Sequence, residues 1–479
     1  MTKVVVIGAG QAGSAVVAKL RNSGFDGDVT LIGAESVPPY QRPPLSKKYM
    51  MGEMDLERLY LRPAEFYAEK NIDLKLSTHV TAIDAAAKTV TTDTETLAYD
   101  HLVLTTGSWP RRLPAKIGGD LAGVYCMRDL KDADAMAPEF KQGAKTLIIG
   151  GGYIGLEAAA VAASKGVQVT LFEMADRILQ RVAAPQTSDY FRTAHTAHGV
   201  DIREGVGLDH LGGENGRVTH AVLTDGTRLD IDFAIVGVGI MPASELAEVA
   251  GVALDNGIAV NALGQTSNPS IWSAGDCASL PYKGRRIRLE SVQNAIDQAE
   301  VVAQNIMGAG IEYVPMPWFW SDQYDIKLQI AGLNTGYDAV YARAGETEDV
   351  ASFWYYQGNT LLAVDAINDS RAYMVGKRLI EMGKSPKPSV VMDPETNLKA
   401  LLKAGGSSLA HSKGVPLPRW ARGTQARICA PRPTVCAKTC STFCRVAVLT
   451  STSTARAFWI YSRAPEPSGL RRCRAVQRI

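Results

Sequence analysis

Two glycine-rich turns of one design lie far apart in the chain, Gly8-Ala9-Gly10-Gln11-Ala12-Gly13 and Gly150-Gly151-Gly152-Tyr153-Ile154-Gly155, and each follows a short run of β-branched residues. A single pattern of this kind is weak, because glycine is common and the motif is short, so the flanks must carry the argument. Residues 2–7 read as a buried strand, 12–23 as a helix and 29–32 as a second strand that closes at Glu35. Lys145 to Ile149, a helix over 155–166 and a strand over 167–172 closing at Glu173 repeat the unit. In such a unit the first glycine permits the tight strand-to-helix turn. The second lets the backbone approach a pyrophosphate, and the third lets helix pack on strand. The helix N-terminus then offers free N–H groups and a partial positive charge to the phosphates. An acidic residue about 20 positions on accepts from ribose hydroxyls, and Glu35 and Glu173 lie 22 and 18 positions past Gly13 and Gly155. Two complete units ask for two dinucleotides.

The 479 residues suffice for two or three domains with sizeable cores, and 46% hydrophobic content with a formal charge of +2 fits an ordinary soluble protein. That average conceals a split. Of 51 Lys and Arg and 49 Asp and Glu, residues 406–479 hold 13 and 1, leaving 38 and 48 in residues 1–405, or about +12 against −10. Five of the seven cysteines also lie beyond residue 405, so the body keeps only Cys126 and Cys277. Two cysteines make no disulfide framework, which points to a reducing compartment. No apolar stretch approaches 18 residues and the chain enters its first strand at once, so the expected location is cytoplasmic, with no membrane span.

The expected fold class is α/β: two Rossmann-like dinucleotide-binding domains and a C-terminal α+β domain. The first domain takes in 1–110 and, after an excursion, 235–317. Its first part ends at Tyr99–Gly107, a strand and a small-residue turn, and Ser270–Cys277 reads as strand, turn and helix start returning to it. Residues 111–234 form the second domain. From Pro317 the chain turns β-rich and aromatic, through Trp318, Phe319, Trp320, Phe353, Trp354, Tyr355 and Tyr356, with a helix near Ala372–Met382; residues 318–405 make the third domain. Residues 406–479 are Arg-rich, almost free of acid and without apolar period, so they read as an irregular, disordered basic segment, with Cys436, Cys440 and Cys444 matching no trusted zinc spacing. Neither metal nor nucleic acid is expected there. A reading frame shifted past the usual end would account for the loss of acidic residues.

The order of motifs resembles the FAD-dependent ferredoxin reductases of the glutathione-reductase-like flavoproteins, with the putidaredoxin and rhodocoxin reductases and the dioxygenase reductase subunits nearest. The motifs are the first fingerprint, Pro39-Tyr40-Gln41-Arg42-Pro43-Pro44-Leu45-Ser46-Lys47, Thr105-Thr106-Gly107, the second fingerprint and Gly275-Asp276, with Trp318–Tyr324 and Ala363–Asn368 in the third domain. The likeness implies tightly held FAD in the first fold and NADH as a reversible donor in the second. It further implies Gly8, Gly10, Ala12 and Gly13 at the FAD pyrophosphate, Glu35 at the adenosine ribose, Val80 at adenine and Arg128 along the cofactor. Arg42 and Lys47 would approach the flavin side, Asp276 the ribityl hydroxyls, Val292 the pyrimidine end and Trp320 the ring. Plainer roles exist for some of these: Asp276 as a helix N-cap, Val80 and Val292 as core, Trp320 as an ordinary aromatic. Gly150, Gly152, Tyr153, Ile154, Gly155, Glu173 and Gly239 would serve NAD. Lys47 and Glu157 form the implied catalytic pair beside the flavin, where a buried ion pair would steady negative charge on the reduced ring; a merely solvated Glu157 is the alternative.

Glu173 accepts from a free 2'-hydroxyl and repels a 2'-phosphate, which favours NADH, although Arg177 and Arg181 turned inward would admit NADPH. Residues 36–52 hold no cysteine and Cys126 stands alone, so there is no dithiol relay and electrons must leave the flavin outward. The natural acceptor is a small 2Fe-2S ferredoxin serving a cytochrome P-450 or Rieske dioxygenase, because flavin divides a pair of electrons into single transfers. Lys283, Arg285, Arg286 and Arg288 offer either a ferredoxin dock or a solvated loop. A rubredoxin or monodehydroascorbate reductase, or a redox sensor of the apoptosis-inducing-factor type, are the other functions weighed, and the expected assembly is a monomer or weak dimer.

Overall fold

The computed structural model describes residues 1–403, so the segment 406–479 with Cys436, Cys440 and Cys444 lies outside the described residues. The strands Lys3–Ile7 and Lys145–Ile149 share one burial pattern, an exposed first residue and four buried ones, as strands covered on both faces require; one face of each packs on a three-stranded antiparallel sheet. Each is the centre of a five-stranded parallel sheet. The first runs Ile271–Ser273, His101–Leu104, Lys3–Ile7, Asp28–Ile32, Ile72–Lys75; the second runs Asp201–Glu204, Gln168–Glu173, Lys145–Ile149, Phe233–Val236, Val124–Tyr125. Register repeats as well: Lys3 opposes Asp28 and Ile7 opposes Ile32, as Lys145 opposes Gln168 and Ile149 opposes Phe172.

Ile271–Ser273 pairs with His101–Leu104, so the chain returns to its first sheet after building the second. The outgoing and returning connections, Ser108–Pro110 and Ile240–Pro242, pair antiparallel. The strand Phe233–Val236 belongs wholly to the second sheet, so that unit extends past the expected edge at 234. Helix Gln11–Asn22 packs on helix Val292–Ile306 through Ala12, Ala15, Val16, Ala295, Ala299 and Val302, small residues that let the axes come close.

The third unit is an antiparallel sheet in the order Trp318–Gln323, Ile326–Gly332, Thr360–Ile367, Ala351–Gln357, Ala339–Ala344. Its two faces have separate partners. Phe353 and Tyr355 enter a core shared with Leu156, Phe191, Tyr40 and Leu45, while Trp354 and Tyr356 meet Val375 and Leu379 of helix Ser370–Glu381. The alternation of period two explains why Ala351–Gln357 is aromatic on both sides and buried throughout except at Gln357. One face thereby locks the third sheet against the other two units, where the candidate site lies.

Candidate functional site

At the two turns, sequence and geometry agree atom by atom. Gly8 and Gly150 have φ of 111° and 107°, and a Cβ on either would overlap a backbone carbonyl, of Thr105 and of Gly237 respectively. A Cβ on Gly13 or Gly155 would overlap the carbonyl of Gly8 or Gly150. At Gly10 and Gly152 an added Cβ meets nothing within 4 Å. Both of these middle glycines are helix N-caps without a side-chain capping bond, and neither helix has an acidic residue in its first turn. Free N–H groups facing open space suit a pyrophosphate at each turn. Ala12 is buried, and its methyl lies where a Cβ on Gly275 would meet it at 3.1 Å.

The carboxylates that close the two units have different company. Glu35 lies three residues past the end of strand Asp28–Ile32, rather than at its end, and its oxygens accept from Arg42 Nη2 at 2.5 Å and the Tyr40 hydroxyl at 2.6 Å. Arg42 also donates to the Arg128 carbonyl at 3.1 Å, and the Tyr40 hydroxyl accepts from the Leu130 N–H at 2.9 Å. Arg42 thus pairs with Glu35, and its charge also acts on Asp276 and Arg128. Among the described residues Glu173 accepts only backbone N–H groups, from Gly151 at 2.8 Å and Ala175 at 2.9 Å. Arg177 does not turn toward it. That guanidinium donates to Ser188 Oγ at 2.5 Å and the Ala183 carbonyl at 2.8 Å, which holds it to the start of helix Pro185–Ala197. Arg181 is exposed.

Asp276 sits in a turn that leads into strand Ala278–Tyr282, so no helix starts there and the N-cap role is excluded. The helix begins later, at Val292, capped by Ser291 onto the Asn294 N–H at 3.2 Å. Burial raises the Asp276 carboxyl, against the pull of Arg128, whose Nη1 lies 3.9 Å away, and of the Ser108 hydroxyl at 3.3 Å. Arg288 donates to the Asp276 carbonyl at 3.0 Å, pairs with Glu290 at 2.6 Å, and keeps a buried Nε with no partner. Val80 opens strand Val80–Asp84, half-buried against the first unit's core. The basic run is split by strand geometry. Arg285–Ile287 pairs with Ala278–Tyr282 across Lys283 and Gly284, which both have positive φ, and Arg286 and Arg288 share one side. Arg286 donates to the Val260 carbonyl at 2.7 Å, whereas the exposed Lys283 lies over the Tyr282 ring at 5.2 Å and Arg285 is exposed.

Between the units, Lys47 Nζ meets Glu157 Oε2 at 2.8 Å. Lys47 closes the short turn Pro43–Ser46, and Glu157, in helix Tyr153–Ser164, is only 6% exposed, so it is not the solvated residue its position allows. Burial pushes its carboxyl up, while Lys47 and the Ser321 hydroxyl, 2.7 Å from Oε1, favour the charged form. Trp320 lies half-buried on the same strand as Ser321, its ring 5.5 Å from that of Trp318. In the second turn, the Tyr153 ring packs on Phe319 at 5.2 Å and Ile154 is 45% exposed, while Gly239 has φ of 102° with only the Arg111 side chain near its Cβ position. Cys126 and Cys277 are free, buried and in separate cores. Among the described residues no helix is long and apolar enough to cross a membrane.

Tyr40, Ser108, Ser321, Gln323 and His195 were not singled out from the sequence, and Arg288 only as one cation of the basic run. Tyr40 stood in the Pro-rich motif and Ser321 and Gln323 in the Trp-Phe-Trp-Ser-Asp-Gln segment, so a signal existed for those three. Residues 2–299 match the pyridine nucleotide-disulphide oxidoreductase family, and 318–402 match the reductase C-terminal family. The chain is 43% identical to a ferredoxin--NAD(P)(+) reductase of Sphingomonas sp over 83% of its own length and 96% of the relative's. It is 39% identical to rhodocoxin reductase of Rhodococcus erythropolis, over 83% and 93%. The structure of the reductase in a covalent putidaredoxin reductase-putidaredoxin complex matches with a TM-score of 0.81 at 39% identity, over 84% of this chain and 98% of that one. With two nucleotide turns joined by a buried ion pair and a third sheet locked over it, the chain belongs to the pyridine nucleotide-disulphide oxidoreductases, in their ferredoxin reductase branch.

Proposed function

We propose that this chain takes electrons from NADH through a resident FAD to a small 2Fe-2S ferredoxin, which supplies a cytochrome P-450 or Rieske dioxygenase. The observation that carries the reading is the Lys47–Glu157 pair at 2.8 Å, which joins a loop of the first glycine unit to the helix of the second. In this assignment residues 1–110 and 237–317 hold FAD, 111–236 receives NADH, and the third unit from 318 covers the junction. When bound, FAD supplies the conversion of a two-electron hydride into single-electron transfers.

The chain's own groups do the positioning. Free N–H groups at the starts of helices Gln11–Asn22 and Tyr153–Ser164 hold the pyrophosphates, with Gly10 and Gly152 leaving the room. Glu35, Arg42, Tyr40 and Arg128 grip the adenosine end of FAD. Asp276 serves its ribityl chain, and Val80, Val292 and Trp320 pack around it. Lys47 and Glu157 flank the reacting end as a charged pair in a site of low dielectric. No proton need pass to or from them, because hydride transfer depends on held geometry. Glu173, with both oxygens set by backbone N–H groups, keeps free lone pairs for a ribose 2'-hydroxyl and repels a 2'-phosphate, and Arg177 is engaged elsewhere. NADH is accordingly the preferred donor. Electrons leave outward, since the described cysteines are buried apart. The reading includes a cytoplasmic enzyme acting as a monomer or weak dimer.

Anaerobic stopped-flow mixing tests it. NADH is expected to bleach the flavin, and added oxidised 2Fe-2S ferredoxin to restore its absorbance within the turnover time. A reduced flavin that persists in the presence of ferredoxin would overturn the assignment.

A further inference from the structure

Behind the ion pair lies a buried row of polar side chains drawn from parts of the chain far apart in sequence. The Ser321 hydroxyl donates to Glu157 Oε1 at 2.7 Å, and Gln323 Nε2 donates to Ser321 Oγ at 3.1 Å. His195 Nε2 lies 2.7 Å from Gln323 Oε1, and the Tyr324 hydroxyl lies 3.0 Å from His195 Nδ1. Ser321 and His195 are fully buried and Gln323 is 1% exposed, whereas Tyr324 is half-buried and stacks on the exposed His198 at 3.7 Å between ring centroids.

The direction of every bond follows from one charge. An ionised Glu157 only accepts, so Ser321 must donate to it and accept in turn from Gln323. That fixes the Gln323 amide with its oxygen toward His195, which must then donate from Nε2 and accept at Nδ1 from Tyr324. The row transmits polarity and not protons, because the amide of Gln323 gives on one arm and takes on the other. Burial pushes His195 down to about 4, so it stays neutral at ordinary pH and can keep this single tautomer. Around Glu157 stand Lys47, Ser46 and Asp322 besides Ser321; around His195 stand Gln323, Tyr324 and His198.

We propose that Ser321, Gln323 and His195 are positioning residues for electron entry: a one-directional row of hydrogen bonds that holds Glu157 charged and turned toward Lys47. The proposal rests on the reading of Lys47 and Glu157 as the pair beside the hydride-accepting cofactor. It ties helix Pro185–Ala197 and strand Trp318–Gln323 to that pair, so a shift of either is felt at Glu157.

The test uses the FAD-bound protein labelled with 15N in histidine, the His195 signal being assigned by its loss in His195→Leu. A neutral imidazole protonated at Nε2 is expected from pH 5.5 to 8; a signal protonated at Nδ1, or at both nitrogens, overturns the proposal. The second readout is the pH profile of flavin reduction by NADH. Removing a donor to a carboxylate raises its pKa, so Ser321→Ala and His195→Leu are expected to move the acidic limb upward, by about one unit for Ser321→Ala. His195→Gln, which keeps an N–H for Gln323, is expected to restore most of the shift. Limbs that stay at the wild-type pH in flavin-replete variants contradict the positioning role and leave the reductase reading standing. Wild-type protein that binds no FAD would instead sink that reading.

Discussion

The two glycine turns are sterically the same object, yet the carboxylates beyond them are held in opposite ways. Glu35 is gripped by side chains, Arg42 at 2.5 Å and Tyr40 at 2.6 Å, both from the Pro-rich loop that also carries Lys47. Glu173 is set by backbone N–H groups alone, and the nearby Arg177 is committed to Ser188 and Ala183. On the proposed assignment, a loop clasped at Glu35 would have to let go before FAD could leave, whereas Glu173 presents an edge that NADH could enter and quit. The proposal thus places the difference between a resident and a visiting cofactor in what surrounds the fingerprint.

Mirror substitutions at the middle glycines give the largest expected effects. Gly10→Leu and Gly152→Leu both have room in the protein but fill the phosphate space. The first is expected to yield colourless protein with no reductase turnover. The second is expected to keep its FAD, measured by absorbance, while reduction by NADH slows by at least about a hundredfold, equivalent to roughly 2.7 kcal/mol. Equal flavin loss in both would break the comparison.

Lys47→Met leaves Glu157 buried without its cation, and is expected to retain FAD while flavin reduction by NADH falls by about ten- to a hundredfold, the scale of a lost charged hydrogen bond. Arg42→Ala removes the clasp and is expected to speed FAD release by a similar factor, about tenfold or more, read by fluorescence on dilution. Glu173→Ala should leave flavin content alone, raise KM for NADH by about tenfold and narrow the preference over NADPH. An NADH preference that stays the same or grows would count against Glu173.

The smallest effect concerns how the second unit leans on the third. Asp365, fully buried, accepts from Thr187 at 2.7 Å and Tyr355 at 2.5 Å, and burial pushes it up from 3.8 to about 6. The folded state then holds this proton more tightly than the unfolded chain, so the contribution to stability is full below pH 3.8 and is lost as pH rises through 6. Asp365→Asn is expected to remove that part of the fall in thermal midpoint between about pH 4 and 6. An unchanged slope would place the titration elsewhere.

What was legible in the sequence follows from range. The glycines were readable because their constraint is local: each Cβ would strike, or leave room for, atoms fixed by the turn itself. Lys47 with Glu157 could be reached through motif likeness, since both lie beside recognisable segments. The pairing of Arg42 with Glu35 depends on how the Pro-rich loop folds back, which no spacing reveals. Arg286 and Arg288 looked like one patch with Lys283 and Arg285, but their guanidinium groups are engaged by the carbonyls of Val260 and Asp276. Asp276 was read as a helix start because a glycine-acid turn after a strand commonly precedes one, but here strand Ala278–Tyr282 follows. His195 and Gln323 are separated by 128 positions and meet only because the third sheet packs on the second unit. Such a contact leaves no local signature.

The account turns on one nucleotide being kept and the other exchanged. Protein purified without added cofactor, passed repeatedly through gel filtration, denatured and assayed for released nucleotide decides this most directly. One FAD and no NAD or NADH per chain is the predicted result. Retained NAD, or loss of FAD as readily as of NADH, would contradict it.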